Sequence, residues 1–244
     1  EFQLIKSMLG VQWVYRGLLV KSGSSMATER FVNRMSIALL GGTFDPIHTG
    51  HIGIAKYLCE HLKVDELRLV PCGRPSHKQH PVVSNQHRLA MLQIALKQHP
   101  ELSLQTNELA SDTPSYTINT LRLVRTQIGP NRSLFMCIGM DALNTLHEWK
   151  EWKSILDYAN IVVVARPNAS FPETTFLVDW IRKNECNSLK KLLQMEFGVF
   201  YFCNSKRHDI SSTEIRDLKK QRFGIKQYVS PGIESYITEN NLYC

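Results

Sequence analysis

The sequence lacks the features that mark membrane proteins and disulfide-stabilised proteins. No apolar run in its 244 residues approaches the about 20 residues that a membrane-spanning helix needs. The six cysteines lie far apart, without a CxxC pair, and a chain of this length needs no disulfides to fold. We therefore expect reduced thiols, a cytoplasmic location and no membrane partner.

A long basic run, the usual mark of a nucleic-acid-binding segment, is also missing. The formal net charge is +7, but residues 1–34 hold five basic and two acidic residues and so supply three of these charges. The remaining excess is spread along the chain without an interleaved aromatic patch. A modest positive balance suits a small anionic ligand, and we expect no nucleic-acid partner.

Residues 1–34 precede the first regular pattern, and we expect them to lie outside the folded domain. They fit a tag, translated upstream sequence, a targeting peptide or a disordered extension. Met26 and Met35 are both suitable natural first residues. The folded domain is predicted to span residues 35–244.

From residue 35 onward, short apolar runs alternate with longer amphipathic ones. SIALLG and NIVVVARP predict strands, whereas HIGIAKYLCEHL and SNQHRLAMLQIALKQHP predict helices, the latter capped by Ser84 and stopped by Pro100. The region 168–197 is helical in composition but poorly periodic. Strands that alternate with helices predict an α/β fold: a doubly wound, mostly parallel sheet with helices on both faces. Ligands of such sheets bind beyond the carboxyl ends of the strands, where the polar loops of this chain fall.

The loop GGTFDPIHTGH, residues 41–51, offers groups suited to phosphate. Gly41 and Gly42 lack a Cβ atom, so the backbone can turn sharply and approach a ligand. His48 and His51 stand near a helix N-terminus, whose N–H groups and partial positive charge favour phosphate over a cation. A zinc site would need a third ligand, and neither HExxH nor GxGxxG is present. On these residues alone, histidines that merely pack or cap the helix stay an open alternative.

The stretch ISSTEIR, residues 210–216, offers a second set of such groups. Ser212 and Thr213 are residue types typical of a helix N-cap, which is their structural explanation. Arg216 lies one turn further on the same helical face. Hydroxyls, helix N–H groups and a guanidinium could therefore meet a phosphate together.

These motifs resemble the HxGH nucleotidyltransferases, which share a Rossmann-like fold with class I aminoacyl-tRNA synthetases. GGTFDPIHTGH is similar to their signature, and PSYTINTL, IGMDALNTLHEWKEWKSILDYANIVVVARP and ISSTEIR narrow the resemblance to the bacterial nicotinate-nucleotide adenylyltransferases. The resemblance covers the chain from about residue 35 to its C-terminus. It implies an enzyme of NAD biosynthesis that joins ATP to nicotinate mononucleotide and releases pyrophosphate. It also implies Mg²⁺, carried by the ATP phosphates without a protein ligand.

The resemblance further assigns residues by motif. His48 and His51 are expected to be catalytic and to stabilise charge on the triphosphate as pyrophosphate leaves. The expected ATP-binding residues are Gly41, Gly42, Thr43, Phe44, Gly139, Asp141, Ser212, Thr213 and Arg216. The expected mononucleotide-binding residues are His77, Lys78, Tyr116, Thr117, Ile118, Trp149 and Lys150.

Several of these assignments have a structural alternative. Trp149 is expected to stack on the pyridine ring and Trp152 to be structural, with main-chain N–H groups around 117–118 and 149–150 facing the carboxylate. Asp141 is a candidate acceptor for ATP hydroxyls or instead caps the next helix. Asp45 is expected to form a turn. Cys72 stands where the family often has asparagine, which argues against a side-chain contact there.

The same motifs bear on three other functions. Pantetheine-phosphate adenylyltransferase resembles a shorter chain without PSYT and HEWKEW, and cytidylyltransferases usually carry RTEG before the serine of the C-terminal motif. A non-catalytic nucleotide sensor is disfavoured because both histidines and Arg216 are present. The sequence does not indicate the oligomeric state.

Overall fold

Neighbouring strands of the central sheet all run parallel. The computed structural model describes residues 36–74, 80–110, 114–165, 170–205 and 210–244. Its strands are β1 (Ile37–Gly42), β2 (Glu66–Pro71), β3 (Leu102–Leu104), β4 (Leu134–Gly139), β5 (Asn160–Ala165) and β6 (Phe200–Asn204). The order β3-β2-β1-β4-β5-β6 is that of the Rossmann fold. The predicted doubly wound α/β architecture is confirmed.

Helices connect the strands and cover both faces of the sheet. They are α1 (Thr49–Leu62), α2 (Asn85–Leu96), α3 (Thr117–Ile128), α4 (Met140–Asn144), α5 (Thr175–Lys183), α6 (Leu189–Leu192), α7 (Ser212–Lys220) and α8 (Pro231–Glu239), with 3-10 turns at Leu146–Glu148 and Trp152–Asp157. Ser84 caps α2 as predicted, since its hydroxyl accepts the His87 N–H at 3.3 Å. In the described part of the poorly periodic region, residues 170–197, lie the short helices α5 and α6.

Every strand except β3 divides its side chains between two buried clusters, one on each face of the sheet. In β1, Ala38 and Leu40 belong to the first cluster, which α1, α2 and α8 complete. Ile37 and Leu39 belong to the second, which α3 and α5 complete. Because both faces are buried, β1, β4 and β5 are nearly continuous apolar runs rather than alternating ones.

The sheet divides between β1 and β4 at its carboxyl edge. The two strands pair from Ile37 opposite Leu134 to Leu40 opposite Cys137. Each continues beyond this point paired only with its other neighbour, β1 with β2 and β4 with β5. A crevice at this switch of strand order is where Rossmann-type sheets bind ligands. The loops after β1 and β4 therefore face each other across it.

Two further expectations bear on the whole chain. All six cysteines are thiols, as expected for a chain of this size. Within the described ranges, no helix is long and apolar enough to cross a membrane. The expected extension at residues 1–34 lies outside the described residues, so the domain boundary stays a prediction.

Candidate active site

His48 caps helix α1 with one ring nitrogen. Its backbone is extended, and its Nδ1 accepts a hydrogen bond from the Gly50 N–H at 3.1 Å. A nitrogen that accepts a hydrogen bond carries no proton, so the neutral ring keeps its proton on Nε2. Capping and phosphate binding are therefore compatible, because the cap uses Nδ1 and not Nε2.

His51 lies beside His48 at the start of α1. The two ring centroids are 3.8 Å apart, and the Phe44 ring meets His51 edge-on at 4.9 Å. Phe44 is 1% exposed and takes a left-handed backbone with φ of 51°. Its ring thus supports His51 from within the core. The assignment of Phe44 to ATP binding stays a prediction.

The two glycines of the loop have different roles. A Cβ atom on Gly41 would meet nothing within 4 Å, whereas one on Gly42 would lie 2.8 Å from the Phe44 ring. Gly41 therefore borders open space, and its ATP-binding role stays a prediction. At position 42 a side chain would collide with the Phe44 ring, so glycine is required there for packing. The sequence alone did not indicate this packing role.

Helix α7 begins one residue earlier than its motif suggested. Ser211 is the N-cap, and it forms a capping box with Glu214: each side chain accepts the other residue's backbone N–H, at 3.2 and 2.7 Å. Ser212 and Thr213 are therefore not the cap, and their hydroxyls are available for other contacts. The Ser212 hydroxyl donates to the Pro46 carbonyl at 3.0 Å.

Arg216 joins α7 to the histidine loop. It donates to the Asp45 carbonyl at 2.8 Å and to the Thr213 hydroxyl at 3.1 Å. The histidine loop and α7 are thus in direct contact, although Asp45 and Arg216 lie 171 positions apart in the sequence. Hydroxyl, guanidinium and imidazole groups meet at one edge of the sheet.

Asp141 follows β4 in the first turn of α4, across the crevice from β1. The N-cap of α4 is Gly139, so Asp141 does not cap this helix. A Cβ atom on Gly139 would lie 2.6 Å from the Asp141 carboxylate. Gly139 therefore gives Asp141, which is exposed, the room to take this position.

The mononucleotide-binding candidates meet at the start of α3. Tyr116 is the N-cap but makes no side-chain cap bond, and the first-turn N–H groups of Thr117 and Ile118 have no acceptor within the helix. The Lys150 ammonium lies over the Tyr116 ring, 4.7 Å from its centroid. These segments therefore combine helix N–H donors with a positive charge.

One predicted backbone donor of this region is wrong. The Trp149 N–H already donates to the Leu146 carbonyl at 3.1 Å, so it does not face a ligand. The half-buried Trp149 ring packs on the second core cluster. Trp152 is structural as expected, since it packs edge-on against Trp180 with centroids 4.6 Å apart.

The loop after β2 is tied to the same site by Ser115. Its hydroxyl accepts the N–H groups of Gly73 and Arg74 at 3.0 and 3.2 Å. Below it, burial raises the pKa of Glu108, whose carboxyl accepts a hydrogen bond from Thr120 at 2.7 Å. The two mononucleotide-binding candidates of this loop, His77 and Lys78, lie outside the described residues.

Arg88 is a site residue that the sequence reasoning missed. It is 0% exposed, and it donates to the Thr43 carbonyl at 2.6 Å and the Gly73 carbonyl at 3.5 Å. Burial lowers the pKa of its guanidinium, an effect that the Asp45 charge opposes. The sequence did contain a signal for this role, because Arg88 has the helical spacing of the apolar residues Met91 and Leu92, with which it shares the buried face of α2. A charged residue in an apolar helical series marks a buried polar contact.

The sequence is similar to those of known proteins. Residues 39–218 match the family model described as Cytidylyltransferase-like. A Hahella chejuensis protein named "Probable nicotinate-nucleotide adenylyltransferase" is 38% identical over 85% of this chain and 95% of its own length. A Pseudoalteromonas atlantica protein of the same name is 35% identical over 86% of this chain and 95% of its own length.

A solved structure shares the fold. Plasmodium falciparum nicotinic acid mononucleotide adenylyltransferase complexed with NaAD aligns with a TM-score of 0.64 and 21% identity, over 85% of this chain and 97% of its own. The sequence relatives match across nearly their whole length, and the structural likeness supports the same fold. The chain is a nucleotidyltransferase that belongs to the cytidylyltransferase-like group and, within it, to the nicotinate-nucleotide adenylyltransferase family.

Proposed function

We propose that the chain transfers the adenylyl group of ATP to nicotinate mononucleotide. The observation that carries this proposal is the contact between the His48 loop and Arg216, which gathers phosphate donors at the crevice beside β1. A phosphate oxygen of the mononucleotide attacks the α-phosphorus of ATP, and the bond from that phosphorus to the bridging oxygen breaks. Nicotinate adenine dinucleotide and pyrophosphate are the products. The activity named for the sequence relatives supports this reaction.

The attacking phosphate is already an anion, so no side chain need remove a proton. The enzyme has instead to align two anions and stabilise the charge that develops on the leaving pyrophosphate. His48 supplies its Nε2–H, His51 lies against it, and Arg216 adds a guanidinium. Gly41 leaves open space beside these donors for the nucleotide.

The mononucleotide binds at the N-terminus of α3. Its ring carboxylate accepts hydrogen bonds from the N–H groups of Thr117 and Ile118, next to the Lys150 charge. The Trp149 ring stacks on the pyridine. His77 and Lys78 are proposed for its phosphate on the strength of the motif alone.

Mg²⁺ enters this proposal as a companion of ATP. The ion prefers oxygen ligands and is commonly held by substrate phosphates, where it neutralises their charge. His48, His51 and Arg216 present nitrogen donors, which fit phosphate oxygens rather than the ion. We therefore propose that these residues bind the ATP phosphates.

We also propose a cytoplasmic location, which the free cysteine thiols support.

Pyrophosphate release from ATP and Mg²⁺ with a panel of acceptors tests the function. The α3 donors suit both oxygens of a carboxylate, whereas a carboxamide would turn its NH₂ group toward an N–H. A hydrogen bond to a charged group contributes about 1.5–3 kcal/mol, so kcat/KM should favour the acid mononucleotide over its amide by roughly 10- to 150-fold.

The panel separates the alternatives. Equal kcat/KM for the acid and the amide would refute the carboxylate site but leave adenylyl transfer intact. Turnover of pantetheine phosphate, or of CTP in place of ATP, would assign the chain to a sister activity. No pyrophosphate release with any acceptor would refute the proposed function.

A further inference from the structure

Asp45 is a buried carboxylate on which distant segments of the chain converge. It is 2% exposed and lies in the loop between β1 and α1. Its Oδ1 accepts a hydrogen bond from the Tyr243 hydroxyl at 2.7 Å, and its Oδ2 accepts the Val82 N–H at 2.6 Å. Its backbone carbonyl accepts the hydrogen bond from Arg216. Asp45 is therefore far more than the turn residue expected from the sequence.

These contacts connect the two sides of the active site. The Asp45 loop carries His48, and Arg216 belongs to the same triphosphate side. Val82 belongs to the segment between β2 and α2, whose Gly73 N–H bonds to Ser115 just before α3. The buried Arg88 joins the same two loops a second time, through the carbonyls of residues 43 and 73.

Tyr243 is held in an unfavourable backbone conformation to reach Asp45. Its φ is 61°, and that of Asn241 is 50°, both in the left-handed region that non-glycine residues seldom adopt. Such a conformation persists where surrounding contacts hold it, and it is common at functional sites. Burial, and next the Asp45 hydrogen bond, raise the pKa of the Tyr243 hydroxyl well above its ordinary value. The O–H group therefore stays a donor at physiological pH.

We propose that Asp45 is a positioning residue, an inference that rests on the proposed function. The hydrogen bond from the Tyr243 hydroxyl is the lock that holds Asp45 in place. Asp45 does not touch the substrates, because it is buried and both carboxylate oxygens accept hydrogen bonds from the protein. It holds the histidine loop and the segment after β2 at the separation that transfer requires. A misplacement of about 1 Å can lower a rate by about 10², so loosening this contact should act on kcat.

The test compares Tyr243→Phe with a matched control, Tyr236→Phe. The Tyr236 hydroxyl also bonds to one side chain, His87, at 3.0 Å, but this contact does not involve the histidine loop. Each variant loses one hydroxyl from the C-terminal part of the chain. With both variants fully folded by circular dichroism, kcat should fall about tenfold or more in Tyr243→Phe and change less than about twofold in the control.

A double variant checks that both residues act through one contact. Asp45→Asn should also lower kcat, and adding Tyr243→Phe to it should produce little further loss. Equal kcat for Tyr243→Phe and Tyr236→Phe would overturn the proposal. Full kcat in Asp45→Asn would overturn it as well.

Amide hydrogen exchange gives a readout that does not depend on catalysis. The Val82 and Gly50 N–H groups should exchange faster in Tyr243→Phe than in Tyr236→Phe, because the loop that both contact opens more often. Unchanged exchange in Tyr243→Phe would refute the lock even if the wild-type chain released no pyrophosphate. Inactivity of the wild type together with faster exchange would instead refute the proposed function and support the lock.

Discussion

His48 is expected to perform two functions with its two nitrogens, and one pair of substitutions separates them. Asparagine carries Oδ1 on Cγ, the atom that bears Nδ1 in histidine. His48→Asn can therefore accept the Gly50 N–H and keep the cap on α1, as asparagine does at many helix N-termini. It has no group that reaches the position of Nε2. His48→Ala loses both groups.

The expected magnitudes follow from these contacts. Loss of one donor to charge that grows in the transition state lowers kcat by about 10²–10³, so both variants should show a loss of this size. Loss of an N-cap lowers the free energy of unfolding by about 1 kcal/mol, which only His48→Ala should show. For a chain of this length that loss corresponds to a fall in Tm of roughly 2–4 °C.

The assay pairs steady-state pyrophosphate release with thermal unfolding of both variants. Near-normal kcat in His48→Asn would refute the role of Nε2–H as a phosphate donor. Equal Tm values for the two variants would refute the cap. Because the two readouts are independent, a failure of one leaves the other interpretable.

Two other changes have expected outcomes. Gly42→Ala should lower the free energy of unfolding by about 1–3 kcal/mol, because the new Cβ would collide with the Phe44 ring. Gly41→Ala should leave Tm unchanged in thermal unfolding but raise KM for ATP, because its Cβ would enter the open space proposed for the nucleotide. Equal Tm losses would contradict the different surroundings of the two glycines. A chain that begins at Met35 should fold and turn over like the full chain, because β1 begins at Ile37; an insoluble or inactive product would show that residues 1–34 contribute to the domain.

Much of the fold and of the site was predictable from local patterns. Apolar runs such as NIVVVARP repeat with helical segments between them, and this alternation leads to a parallel, doubly wound sheet, since parallel strands need crossovers. The order of strands in such a sheet then puts the loop with His48 and the loop with Asp141 at one edge. Residue type and spacing also predict that Arg216 binds phosphate, and the structure brings Arg216 to the histidine loop. These properties depend on neighbours in the sequence, which the sequence itself displays.

The contacts that hold the site together could not be read in the same way. Asp45 looks like a turn residue in FDP, yet Tyr243, 198 positions later, donates to its carboxylate. Gly42 looks like a ligand-binding glycine, yet a ring of the same loop covers it.

The sequence by itself determined the sheet, its helices and the residue types at its carboxyl edge, because backbone periodicity and motif spacing are local properties. Only the tertiary structure decided which of those residues face open space and which are buried supports. Burial and hydrogen-bond partnership depend on chain segments that meet after folding, and no local pattern records which segments those are.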